Sequence, residues 1–210
     1  MSKIADKVGT PNTAGLGVQI ALRESSCRVR GDVFARLIFP DGREEIVLDK
    51  RNVYTLDGSI LSAMLFKGQA GVSGINMLAI GNGATGDITN PDVAVNAQRS
   101  LNSELVRKPF SSVVYRNSLG EEVSYPTNVI DVTTVFTETE AVGASLTEMG
   151  LLSTADSDPS VTNPVSNSSD REGVSAVDLS SQDVLVNYLT FPVIHKLAGS
   201  VLALTWRLTF

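Results

Sequence analysis

Val201-Leu-Ala-Leu-Thr-Trp-Arg-Leu-Thr-Phe210 alternates almost without fault. Leu202, Leu204, Trp206, Leu208 and Phe210 fall on one side, and Val201, Ala203, Thr205, Arg207 and Thr209 on the other. Side chains of a strand point alternately to its two faces, so this run reads as a half-buried β-strand whose five large apolar residues enter a core. It reaches the final residue. A terminus carrying this much apolar surface is expected to be tied into a sheet or a neighbouring subunit.

Working back through the chain, period-two runs recur. Val29 to Phe39 and Arg43 to Leu48 flank Pro40-Asp41-Gly42. This is a hairpin signature, because proline presets the first turn angle and glycine accepts positive φ. Further strand candidates are 75–80, 111–116, 122–125, 128–137, 148–153 and 184–191, with Gly120 and Glu121 turning one hairpin. The period changes once. Leu56, Ile60, Met64 and Leu65 recur at helical spacing behind Thr55 or Asp57 as a cap, and Gly68 and Gly71 close the segment. Residues 87–108 read as polar with scattered apolar positions. The pattern predicts a mainly β chain: a β-sandwich-like body over 27–210 with one short amphipathic helix near 56–66.

Two segments do not fit that body. Residues 1–26 hold Gly9-Thr-Pro-Asn12 and Gly15-Leu-Gly17 and read as an extended arm. It is either a loose terminus or an arm that orders against a neighbour, with Val18, Ile20 and Leu22 as its candidate assembly interface. Residues 155–175 are rich in Ser, Asp, Asn and Pro and form a long exposed loop, which in a compact domain is either mobile or a contact element.

Composition limits the function. The 210 residues are 42% hydrophobic and 19% charged, ordinary for a folded soluble protein able to bury its own core. A formal net charge of −6 argues against a nucleic-acid partner, and the arginines at 23, 28, 30, 36, 43 and 51 alternate with apolar residues as a solvated strand face does. Cys27 is the only cysteine, which rules out an intrachain disulfide and suits a reducing cytoplasm. No run approaches a signal peptide or the roughly 18 apolar residues of a membrane span.

Motifs of chemistry are weak. Gly81-Asn-Gly-Ala-Thr-Gly86 follows a strand, but no Gly-Lys-Ser/Thr ends it and Asp87-Ile-Thr-Asn-Pro91 breaks any helix, so a tight turn explains it better than a phosphate cradle. His195, the only histidine, lacks the partners of a metal site or a serine-hydrolase elbow. Asp156, Asp158, Asp170 and Glu172 miss calcium-loop spacing. Glu138 and Glu140 share a strand face in this reading, as an exposed edge. No catalytic residue, cofactor, metal or small-molecule substrate is expected.

Four phrases in order carry a family resemblance: 52–65 (Asn-Val-Tyr-Thr-Leu-Asp-Gly-Ser-Ile-Leu-Ser-Ala-Met-Leu), 74–86 (Gly-Ile-Asn-Met-Leu-Ala-Ile-Gly-Asn-Gly-Ala-Thr-Gly), 101–107 (Leu-Asn-Ser-Glu-Leu-Val-Arg), and 146–152 (Leu-Thr-Glu-Met-Gly-Leu-Leu) with the terminal 204–210. Over residues 30–210 the chain resembles a group of tailed-bacteriophage virion proteins labelled tail, fibre-like or structural. The resemblance implies a β-rich assembly module without an active site, present in many copies in the tail, neck or fibre-anchoring region. Its expected partners are copies of itself and other virion proteins, with synthesis in the host cytoplasm. A capsid decoration protein and a receptor- or carbohydrate-binding module are the alternatives. The low aromatic content, 6%, weighs against the last.

Overall fold

The computed structural model describes residues 29–154 and 183–210. In chain order the elements are β1 Arg30–Ile38, β2 Glu44–Arg51, β3 Val53–Tyr54, α1 Leu56–Phe66, β4 Met77–Gly81, β5 Gly86–Asp87, β6 Asn90–Pro91, β7 Glu104–Pro109, β8 Ser112–Arg116, β9 Glu122–Val123, β10 Val129–Phe136, β11 Ser145–Ser153, β12 Val184–His195 and β13 Val201–Thr209. They form a mainly β body: a six-stranded sheet β2-β1-β13-β10-β8-β9, a five-stranded sheet β3-β12-β11-β4-β7 and the small ribbon β5-β6. Every ladder between them is antiparallel.

The alternation of β13 decides how the sheets meet. β13 lies between β1 and β10, with Trp206 opposite Val33 on one side and Val132 on the other. Leu202, Leu204, Trp206 and Leu208 are buried, and they join Val33, Leu37, Phe136, Leu78, Ile80, Met149, Leu151 and Phe191 in one core drawn from both sheets. Apolar faces of two sheets interdigitating in this way make a β-sandwich. Phe210 departs from the alternation. β13 ends at Thr209, and beyond it the ring turns out of the core and stands 48% exposed. Its backbone is held by Asn128, whose carbonyl accepts from Phe210 N at 2.9 Å.

The opposite face of the six-stranded sheet carries charge in register. Arg51 and Arg207 flank Asp32, while Arg207 and Arg116 flank Asp131. Asp131, buried, accepts from Arg207 Nε and Nη2 at 2.8 and 2.9 Å and from Arg116 Nε at 2.8 Å. Three of the early arginines, Arg30, Arg36 and Arg51, are thus ion-paired at strand positions, Arg30 with Asp32 at 3.0 Å and Arg36 with Glu44 at 3.2 Å. The 29–48 run forms the β1–β2 hairpin, with Gly42 at φ 80°.

Three elements depart from the sequence reading. Leu105, Val106 and Arg107 belong to a full edge strand, β7, in a stretch read as polar with scattered apolar positions; its ion-paired Glu104 and Arg107 conceal the alternation. Glu138 and Glu140 lie beyond the end of β10, in the turn before β11, and Glu140 pairs with Lys108 at 2.7 Å. The helix has the bounds its period predicts, but its buried stripe is Asp57, Gly58, Leu61 and Met64, leaving Leu56 and Leu65 exposed. The reason is local. Thr55 caps the helix, accepting from Gly58 N at 2.9 Å, while its hydroxyl donates to the Leu185 carbonyl and its N–H to Val186 O. A Cβ on Gly58 would sit 2.7 Å from Val186 O, so only glycine lets the helix lie this close to β12. That contact sets the rotation of the helix. The arm with Val18, Ile20 and Leu22, Cys27, and the 155–175 loop with its acidic residues lie outside the described residues.

Candidate functional site

Two regions stand out, toward opposite ends of the five-stranded sheet. The first is built around Glu148, on the outer face of β11 and fully buried. Its Oε1 accepts from Gly83 N at 3.0 Å and Ser103 N at 2.8 Å; its Oε2 accepts from Asn102 N at 3.0 Å and from the Tyr188 hydroxyl at 2.7 Å. Burial first, and then the neighbouring carboxylate, push the Tyr188 phenol well above its ordinary pKa, so it stays a donor. Two glycines of the 81–86 run are now explained. A Cβ on Gly81 would meet Ser103 O, and one on Gly83 would meet Ser103 N. Converging backbone N–H groups form an anion nest, and here the anion is part of the chain. Glu148 occupies the place a phosphate would need.

This knot straps residues 82–103 across the outer face of the sheet. Leu101 fills a second core with Met77, Ala79, Leu152, Leu185 and Tyr188. The far end of the strap is held by Leu56 N to Asn96 O at 2.9 Å and by Arg99 to Asp57 at 3.0 Å.

The second region is the helix end. Here β1 begins, β13 ends, and β11 and β12 are paired at Ser153 and Val184. The two described residues that border the 155–182 stretch are both pinned: Thr154 exchanges hydrogen bonds with Asn76 at 2.9 and 3.0 Å, and Asp183 pairs with the buried Arg107. The helix packs Leu61 and Met64 on Val184 and Val186. Beside it runs an open groove of about 1050 Å³ lined by Val29, Tyr54, Leu65, Phe66, Phe210 and Asn52 among others. It adjoins a smaller cavity of about 240 Å³ that reaches Ile130, Val132 and Leu208 between the sheets.

The groove is apolar where it is exposed: Phe66 is 91% accessible and Phe210 48%. Exposed apolar surface gathered in one place, rather than scattered, marks an interaction site. Asn52 adds a polar feature, since both ends of its side-chain amide are buried without a partner among the described residues. An unpaired buried amide costs about 1–3 kcal/mol. Tyr54 is committed elsewhere, donating to Gly58 O at 2.9 Å beside Ser62.

The structure separates the other sequence candidates. His195 is exposed at the end of β12, its Nδ1 3.1 Å from Ser145 Oγ. Its neighbour Lys196 is the buried one, donating to the carbonyls of Thr137 and Ser200 at 2.8 and 2.7 Å. Among the described residues no cluster of three or more His, Cys, Asp or Glu is placed to hold a metal, and no helix is long and apolar enough to cross a membrane. Glu148 was missed by sequence reasoning because one acid inside an apolar strand carries no motif. The signal that points to it is the pairing of two glycines at 81 and 83 with an acid of an adjacent strand. Neither a protein-family model nor a curated protein matches this chain.

Proposed function

We propose that this protein is a non-enzymatic structural component of a tailed-bacteriophage virion, assembled in multiple copies in the tail, neck or fibre-anchoring region. The observation that carries the assembly role is the helix end, where an exposed apolar groove meets the first described residue, Val29. A body that leaves apolar surface gathered and open at one end is suited to be covered by another chain. The phage setting rests on the four phrases. In the fold, 52–65 builds the helix end, 74–86, 101–107 and 146–152 meet around Glu148, and Leu204, Trp206 and Leu208 of the last phrase enter the core.

Immunogold labelling and mass spectrometry of purified particles test this reading. Label at the tail, neck or fibre base is expected. Label over the shell would move the protein to capsid decoration, and a chain missing from the particles would overturn a virion role.

A further inference from the structure

We infer that the groove at the helix end receives residues Val18-Gln-Ile-Ala-Leu22 of a neighbouring copy, so that copies are laced together by exchanged arms. The inference deepens the assembly reading above and rests on it. Two observations select this occupant. The groove is largely apolar, with Tyr54, Leu65, Phe66 and Phe210 in its wall, and Val18, Ile20 and Leu22 are apolar residues at alternate positions.

The second observation concerns reach. Val29 already lines the groove, and 28 residues precede it. The stretch between Leu22 and Val29, Arg-Glu-Ser-Ser-Cys-Arg, contains neither glycine nor proline to reverse the chain; such residues occur upstream at 9, 11, 15 and 17. Seven to eleven residues in extended form span roughly 23–36 Å, so an arm of this length is long enough to leave its own body and reach an adjoining copy. Contacts of this heterologous kind generate rings or filaments, which suits repeated copies in a particle.

Disulfide trapping in the full-length chain, with Cys27→Ser as background, tests the exchange. One chain carries Ile20→Cys and the other Phe66→Cys, at a position exposed enough to tolerate the change. Mixed under mild oxidation, they are expected to cross-link as a two-chain species roughly 100-fold faster than Ile20→Cys mixed with Val142→Cys, since docking raises the effective concentration of the thiols. Val142 is an exposed apolar residue in the turn between β10 and β11, away from the groove. A rate equal to that control overturns the inference. So does a chain bearing both Ile20→Cys and Phe66→Cys that closes on itself as a monomer. A chain found in particles whose cross-link matches the control leaves the assembly role standing and removes the arm. A chain absent from particles that still cross-links specifically keeps the exchange and removes the virion role.

Discussion

At the Glu148 end, four donors from two loops and a tyrosine converge on one buried carboxylate, and two glycines make room for it. At the helix end, Leu65, Phe66 and Phe210 face solvent and the Asn52 amide has no partner among the described residues. Both ends have loops and glycines, and both come from phrases that stand out in the sequence. They differ in whether the chain supplies its own ligand. Where it does, a motif shaped like an anion site is a piece of internal architecture. Where it does not, the surface is left for another molecule. A nest of backbone N–H groups is therefore informative only once its occupant is known.

The sharpest way to break the closed end is Glu148→Ala. It leaves three backbone N–H groups and the Tyr188 hydroxyl buried without their acceptor. Each orphaned donor costs about 1–3 kcal/mol, so a loss of about 4 kcal/mol or more is expected, a large share of a domain's whole stability. Urea unfolding measures it. A loss near 1 kcal/mol would mean that the strap is held by Leu101 and Arg99 instead, and that the knot is incidental.

Between the two ends, Trp206 calibrates what ordinary core packing contributes. Trp206→Ala is expected to cost about 3–5 kcal/mol. Trp206→Phe should cost much less, because the indole Nε1 has no partner among the described residues and only volume is lost. Native fluorescence at the wavelength of fully solvated tryptophan would contradict the burial on which both expectations stand.

A smaller effect appears with pH. Burial pushes the Asp131 carboxyl up, but hydrogen bonds from Arg207 and Arg116 outweigh it and hold its pKa below the ordinary value. A folded pKa depressed below the unfolded one contributes stability that is present above about pH 4 and is lost as pH falls through the folded value. Asp131→Asn should therefore lower stability at neutral pH and narrow its gap to the native chain below pH 4. Parallel stability curves for the two proteins from pH 7 to pH 3 would sink the argument.

How far the sequence could be read follows the same division. β13, the β1–β2 hairpin and the bounds of α1 are legible because period and turn chemistry are local. β7 is not, because its paired Glu104 and Arg107 look like a solvated surface until the partner Asp183 arrives from far along the chain. The knot depends on residues 83, 102, 148 and 188, which no window spans. The helix face fails for a related reason. Periodicity places Leu56, Ile60, Met64 and Leu65 on a common stripe, yet the approach of Gly58 to β12 turns Leu61 inward beside Met64 and leaves Leu56 and Leu65 outside. Leu65, displaced in this way, helps line the groove, so part of the error in the sequence reading falls on the surface proposed for assembly.

The smallest effect on stability is expected at that surface. Phe66 closes the helix, 91% exposed, and no basic residue lies in the last turn. Phe66→Lys removes the apolar wall while placing a cation at the negative end of the helix dipole, an interaction worth about 0.3–1 kcal/mol. Loss of an exposed ring contributes little in the other direction. The melting temperature should thus stay level or rise slightly, while self-association, followed by sedimentation velocity across a concentration series, should weaken. Phe210→Lys should weaken association in the same way without the dipole gain, because Phe210 lies on no helix. If Phe66→Lys lowers the melting temperature by many degrees, the ring is part of the core and the helix end is closed by the chain itself. If both variants associate as the native chain does, the groove is open but unused, and the contrast between the two ends loses its functional meaning.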